Sequence, residues 1–169
     1  TFDKTEGAQN IITNYPEMDA FACGLNAVIN VLQPLAAAGR TDVMVSCFEA
    51  GEPETLEAFE EGTLNGLADG AIAHGLVAFT MLYNGLTGNK IIDEEKGYAI
   101  TVTNMDYIIV DTVEECRQLF DTIYNGNVPY SVDELKQLCK AFNPNVTAAD
   151  YHKVGGEFTL ENLVARKGK

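Results

Sequence analysis

Two histidines, four cysteines and a surplus of carboxylates are the groups in this sequence that could do chemistry. None stands in a spacing that marks a catalytic centre. No pair among Cys23, Cys47, Cys116 and Cys139 has CxxC spacing, so neither zinc binding nor thioredoxin-like exchange is indicated. A Gly-x-Ser-x-Gly elbow is missing, which removes a hydrolase nucleophile. The glycines of Gly62-Thr-Leu-Asn-Gly-Leu-Ala-Asp-Gly70 have the wrong spacing for a phosphate-cradling loop. Glu57, Glu60 and Glu61 have the composition of a metal cluster but read as the solvated face of a helix. His74 could hydrogen-bond a ligand from the first turns of a helix, or sit partly exposed on it; His152 is given no role. Asn145-Val-Thr147 matches a glycosylation sequon, a three-residue pattern of little specificity. These residues argue against an enzyme and call for no metal or cofactor.

What remains is binding, and a binding site is set by the elements that carry it. Between Asp19 and Gly88, three short apolar runs alternate with three longer stretches of helical character. The runs are Ala20 to Cys23, Val43 to Phe48 and Leu64 to Ala68. Such alternation predicts an α/β fold, with a parallel sheet flanked by helices. Ligands of these sheets sit outside the carboxyl ends of the strands, where the loops converge. Attention therefore falls just after Cys23, after Phe48 and around Asp69.

The rest of the chain supplies the frame. Residues 3–15 read as a helix, with Ala8, Ile11, Ile12 and Tyr15 at helical spacing and Pro16 as its stop. Residues 26–38 read as the next, ended by Gly39. Pro34 inside it removes a hydrogen bond, which predicts a kink or a division near Gln33. The apolar run at 42–48 predicts a strand buried on both faces. Pro53 suits a first helical position, with Glu52 and Glu54 favourable to the helix dipole and Leu56 and Phe59 inward. Gly62 stops that helix. A third strand at 65–69 leads to a long helix carrying Ile72, Leu76, Phe79, Leu82 and Leu86 on its inward side, closed by Gly88. A charged loop is expected at 91–96. Short strands are expected at 98–102 and 107–110, with Asn104-Met-Asp106 as a crossing point. Thr112-Val-Glu-Glu115 and Ser131-Val-Asp-Glu134 have capping-box spacing, and Thr147-Ala-Ala-Asp150 is a weaker version. The first two open helices that turn Cys116, Leu119, Phe120 and Ile123, and then Leu135, Leu138 and Phe142, inward. Phe158, Leu160, Leu163 and Val164 are the anchors of a polar tail.

Length and charge narrow the partners. The 169 residues suit one domain with an appendage, and 46% apolar residues is ordinary for a globular chain. No apolar run approaches the ~20 residues that span a bilayer. A net charge of −14 repels phosphates, which disfavours nucleic acid and anionic membrane surfaces. A neutral small ligand or a protein partner fits better. Cys23 and Cys47 fall at the ends of two runs that could be neighbouring strands. Two readings stay open: a bridge between them, or four small buried hydrophobes, as suits a reducing or anaerobic setting.

An ordered series of motifs then carries a resemblance. A helix runs into Tyr15-Pro-Glu-Met-Asp-Ala-Phe-Ala-Cys23. Ala36-Ala-Ala-Gly-Arg-Thr-Asp-Val-Met-Val45 and Phe48-Glu-Ala-Gly51 follow, then Leu56-Glu-Ala-Phe-Glu-Glu-Gly-Thr-Leu64 and a helix ending Leu86-Thr-Gly88. Over about residues 5 to 110 the chain resembles the C-terminal part of the type I periplasmic substrate-binding proteins of the ribose- and galactose-binding kind. LacI-type effector domains share that fold. The resemblance implies a periplasmic-binding-protein-like lobe. It makes residues 1–103 an incomplete C-terminal ligand-binding lobe, and 104–169 a crossover segment and helical tail. It implies the solute-binding component of an ABC importer, extracytoplasmic, binding a sugar or similar polar solute without catalysis. A membrane permease would be its partner. The alternative is the ligand-sensing effector domain of a transcription regulator. By the same resemblance Glu49 and Asp69 are hydrogen-bond acceptors for the ligand, Asn26 is a third contact, and Phe48 offers an aromatic face. Gly24-Leu25 stands where the family has Asn-Asp, and Cys47 replaces a glycine. Closure would turn about a hinge near Asn104. A single lobe leaves sheet edges uncovered, so pairing with a second copy or exchange of elements is also expected.

Overall fold

The computed structural model describes residues 4–49, 52–99, 105–125 and 127–166. The expected hinge at Asn104 and the strand positions 100–102 lie outside these. In chain order the first elements are α1 (Lys4–Asn14), β1 (Ala20–Gly24), a π-helical turn (Val28–Leu32), α2 (Gln33–Ala37), β2 (Met44–Phe48), α3 (Glu54–Glu60) and β3 (Gly66–Asp69). They are followed by α4 (Ala71–Leu86), β4 (Ile92–Asp93), β5 (Tyr98–Ala99), β6 (Ile108–Val110) and α5 (Val113–Leu119). A second π-helical turn (Phe120–Tyr124), α6 (Val132–Gln137), α7 (Ala148–Gly156) and α8 (Leu160–Arg166) complete the described chain. The fold is α/β, with an open, mostly parallel sheet and flanking helices. Two compact units divide it: residues 1–69 with 109–120, and residues 70–108 with 121–169. No helix among the described residues is long and apolar enough to cross a membrane.

The first unit holds the four-stranded sheet, in the order β1-β2-β3-β6. β1 runs parallel to β2, in register from Ala20↔Met44 to Gly24↔Phe48. β2 runs parallel to β3, from Ser46↔Gly66 to Phe48↔Ala68. Local chemistry fixes the strand entries. The Arg40 guanidinium donates to the carbonyls of Pro16 and Met18 and pairs with Asp42 at 2.8 Å, tying the loop before β1 to the loop before β2. The Asn65 side chain accepts the Val45 amide at 2.9 Å while its own amide donates to the Val45 carbonyl, which starts β3 against β2.

Pro34 divides its helix as its chemistry requires. A proline has no N–H to give, and its ring crowds the carbonyl four residues back. The chain widens to a π-helical turn just before it, with the Gln33 amide reaching the Val28 carbonyl, and α2 resumes with Pro34 in its first turn. Gly39, Gly62 and Gly88 end their helices at φ between 71° and 74°, a conformation glycine adopts without strain. The expected double-sided burial of β2 is not found. Val45 and Cys47 are buried, but Met44 is 59% exposed and Phe48 41% exposed. β2 therefore alternates like a half-covered strand.

The second unit is built around α4, and here too the expected inward face is corrected. Ala73, Val77, Thr80 and Asn84 are buried, whereas Ile72, Phe79, Leu82 and Leu86 face outward. A polar network selects the buried side. The Asn84 amide nitrogen donates to the Leu138 carbonyl (2.8 Å) and to the Tyr151 hydroxyl (3.0 Å), and its oxygen accepts the Lys140 amide (2.8 Å). Tyr151 donates to the same Leu138 carbonyl at 2.8 Å and lies 2.9 Å from the Thr80 hydroxyl. Phe142, expected inward, is 56% exposed and stacks on Tyr83 instead, while Leu138 and Cys139 are buried. The expected loop at 91–96 contains a strand: β4 pairs antiparallel with β5 in a small hairpin. Asp93 organises its turn, accepting the Glu95 and Lys96 amides and facing Lys96 (3.4 Å) and His152 (3.6 Å). Capping boxes start α6 at Ser131 and α7 at Thr147, and Thr112 caps α5.

Candidate functional site

The carboxyl ends of β1, β2 and β3 lie side by side in the first unit. The register puts Gly24, Phe48 and Ala68 in one row. Two further hydrogen bonds extend it: Leu25 N–H donates to the Phe48 carbonyl at 2.9 Å, and Glu49 N–H to the Ala68 carbonyl at 2.7 Å. Asn26, Glu49 and Asp69 therefore leave three neighbouring strands at one edge.

The backbone at this edge is unusual. Leu25, Asn26 and Glu49 have φ of 57°, 56° and 68°, and they are the non-glycine residues with left-handed backbone among the described residues. Such conformations cost on the order of 1–3 kcal/mol each and concentrate where function over-determines the chain. Asn accepts the conformation readily; Leu and Glu do not. The space beyond Gly24 is open, since an added Cβ there would meet nothing within 4 Å.

The side chains differ in access. Asn26 and Phe48 are exposed and Glu49 is half-buried. Asp69 is 0% exposed, buried beneath the edge. The same edge holds three further groups: Glu52, which the sequence placed elsewhere, and Cys23 and Cys47, which it placed at the strand ends without a role in the site. Glu52 is only 7% exposed. Sequence placed it at the dipole of the helix that follows it; instead its carboxylate accepts the amides of Val28 and Ile29, at the start of the helical run 27–37. Its Oε1 has no hydrogen-bond partner, and burial pushes its carboxyl up from the ordinary range. Cys23 and Cys47 stand directly opposite each other in the register, both as free thiols. The Cys23 thiol and, less strongly, the Ala27 amide hold the Cys47 thiol below its ordinary pKa against the effect of burial, while the Cys23 thiol is held up by its bond to Cys47. One signal was available beforehand: both cysteines fall at equivalent places near the ends of consecutive apolar runs.

A cavity of about 490 Å³ lies at the opposite, amino-terminal ends of the strands, lined by Arg40, Asp42, Glu54, Glu57 and Glu61 among others. Its carboxylates are solvated and no left-handed side-chain-bearing residue borders it. The carboxyl edge, with buried ionisable groups and a strained backbone, is the better-built site. Away from the sheet, His74 meets the Asp106 carbonyl at 3.2 Å and sits edge-on to Tyr107, as a half-buried packing residue of the second unit. Comparison with protein-family models and with curated protein sequences returns no match.

Proposed function

We propose that this chain is the solute-binding component of an ABC-type importer, one lobe of a periplasmic-binding-protein-like fold that holds a sugar or similar polar molecule without altering it. The observation that carries the reading is the parallel register ending at Gly24, Phe48 and Ala68, which gathers Asn26, Glu49 and Asp69 at one sheet edge. An ionised carboxylate accepts hydrogen bonds from two adjacent hydroxyls, and an amide both donates and accepts. Glu49 and Asn26 supply those groups from accessible positions, and Asp69 adds an acceptor deeper in. The exposed ring of Phe48 offers an apolar face to the ring carbons of a sugar. Recognition is then by shape and hydroxyl pattern; in this reading the chain works outside the cytoplasm and hands its solute to a permease in the membrane.

The test is calorimetric titration of the chain with a panel of mono- and disaccharides. Glu49→Ala is expected to weaken the best ligand at least about tenfold, since hydrogen bonds to a charged group contribute roughly 1.5–3 kcal/mol. Unchanged affinity would remove Glu49 from the site. Failure of every sugar to bind would remove the proposed ligand class.

A further inference from the structure

We infer that Cys23 and Cys47 form an oxidisable dithiol at the carboxyl edge of the sheet, which closes to a disulfide when the protein meets a hydroperoxide. The inference does not depend on the ligand reading. Its basis is the register: Cys23 and Cys47 are direct partners on parallel strands. Paired positions of a parallel ladder point to the same face, and neighbouring strands lie ~4.7–4.9 Å apart. That spacing is within the ~4.4–6.8 Å between Cα atoms that a disulfide spans. The Cys23 thiol already leans toward β2, donating to the Ser46 carbonyl at 3.5 Å.

The surroundings favour one sulfur as the attacking group. Cys47 faces the start of the helical run 27–37, which lowers its thiol pKa, and as a thiol its Sγ donates to the Glu49 carbonyl at 3.4 Å. Cys23 is half-exposed and Cys47 is buried, so the oxidant must be small. Hydrogen peroxide meets that limit. The Cys47 thiolate attacks one peroxide oxygen; the O–O bond breaks, and the departing hydroxide takes a proton to become water. Cys47 is then a sulfenic acid. The Cys23 sulfur attacks it, the S–O bond breaks, and the second hydroxide leaves as water with the Cys23 proton. Two thiols have lost two electrons and two protons, and one peroxide has become two waters. Glu52, with its unpartnered Oε1, is the nearby carboxyl that can hand protons across this edge. The other cysteines lack these features. Cys116 is fully buried and its thiol is pushed up to about 11, and Cys139 is raised by burial as well.

The experiment treats the folded, reduced chain with hydrogen peroxide, removes the oxidant, unfolds the chain in denaturant, alkylates the remaining thiols and reads the intact mass and peptide map. The expected result is loss of two hydrogens, alkylation at Cys116 and Cys139 alone, and a Cys23–Cys47 linked peptide that dithiothreitol abolishes. In Cys23→Ser the linked peptide should vanish and a dimedone adduct should accumulate on Cys47. Four thiols surviving peroxide that oxidises free glutathione would overturn the inference. So would a bridge involving Cys116 or Cys139. Both results are read on the wild-type chain, so they stand even if a variant fails to fold.

Discussion

Replacing Asn84 by alanine should be among the most damaging single changes in the second unit. Asn84 is fully buried on α4 and its amide makes three hydrogen bonds, to the Leu138 carbonyl, the Tyr151 hydroxyl and the Lys140 amide. At about 1 kcal/mol net per bond, their loss amounts to about 3 kcal/mol. The Leu138 carbonyl and the Tyr151 hydroxyl still have each other, but the Lys140 amide loses its acceptor. With the space left by the side chain, the expected cost is about 3–4 kcal/mol. Tyr151→Phe removes a hydroxyl from the same cluster, yet every partner keeps a second bond: Thr80 to the Val77 carbonyl, Asn84 to Leu138. Its expected cost is about 1–1.5 kcal/mol. The chain has no tryptophan, so urea unfolding followed by far-UV circular dichroism is the suitable assay. The double variant should cost at least the sum of the two, because it strips the buried Leu138 carbonyl of both its side-chain donors. Equal costs for the two single variants, or an Asn84→Ala cost below about 1 kcal/mol, would refute the account of why α4 turns this face inward.

Three further outcomes follow from the same geometry. Glu49→Gly should stabilise the chain by about 1 kcal/mol by relieving a left-handed glutamate, while Glu49→Ala should not; equal thermal shifts for both would show that the backbone there is unstrained. Burial raises the Glu52 carboxyl, so its contribution is fully favourable below the ordinary glutamate pKa and is lost as pH rises through the folded-state value. Glu52→Gln should therefore gain on wild type between acid and neutral pH, and a difference independent of pH would contradict this. Asp93 is held low, burial being outweighed by the Lys96 amide and ammonium and by His152. That stability is present above the ordinary aspartate pKa and lost as pH falls through the folded-state value, so Asp93→Asn should flatten the acid limb of an unfolding-versus-pH curve. An unchanged limb would exclude Asp93 as a contributor.

The features legible in the sequence were the local ones. Ser131 and Glu134, or Thr147 and Asp150, satisfy each other's backbone amides within three residues, so spacing alone suffices. Pro34 could be read as a division because a missing N–H acts on its own turn. The parallel order of β1, β2 and β3 followed from alternation of runs and helices. The faces of α4 were another matter. One side carries Ile72, Phe79, Leu82 and Leu86, the other Ala73, Val77, Thr80 and Asn84, and hydrophobicity favours the first. The choice was made by Leu138, Lys140 and Tyr151, more than fifty residues along the chain. At the candidate site the positions of Asn26, Glu49 and Asp69 at strand ends were readable. The burial of Glu52 was hidden, because the amides it meets belong to a helix on the other side of β2. Cys23 and Cys47 could be paired from their places at the ends of consecutive runs, but that they stand directly opposite each other needed the register.

The outward row of α4 bears on how solutions of this protein behave. That helix has no lysine, arginine, aspartate or glutamate, and Phe79, Leu82 and Leu86 lie open to water on a molecule of net charge −14. On this surface mutual repulsion, rather than wetting, is the force that opposes association in dilute buffer. Molar salt shortens the reach of that repulsion to ~3 Å, and acidification toward the isoelectric point of about 4.3 removes it. Both treatments should therefore raise light scattering, and an arginine at Leu86 should clear it.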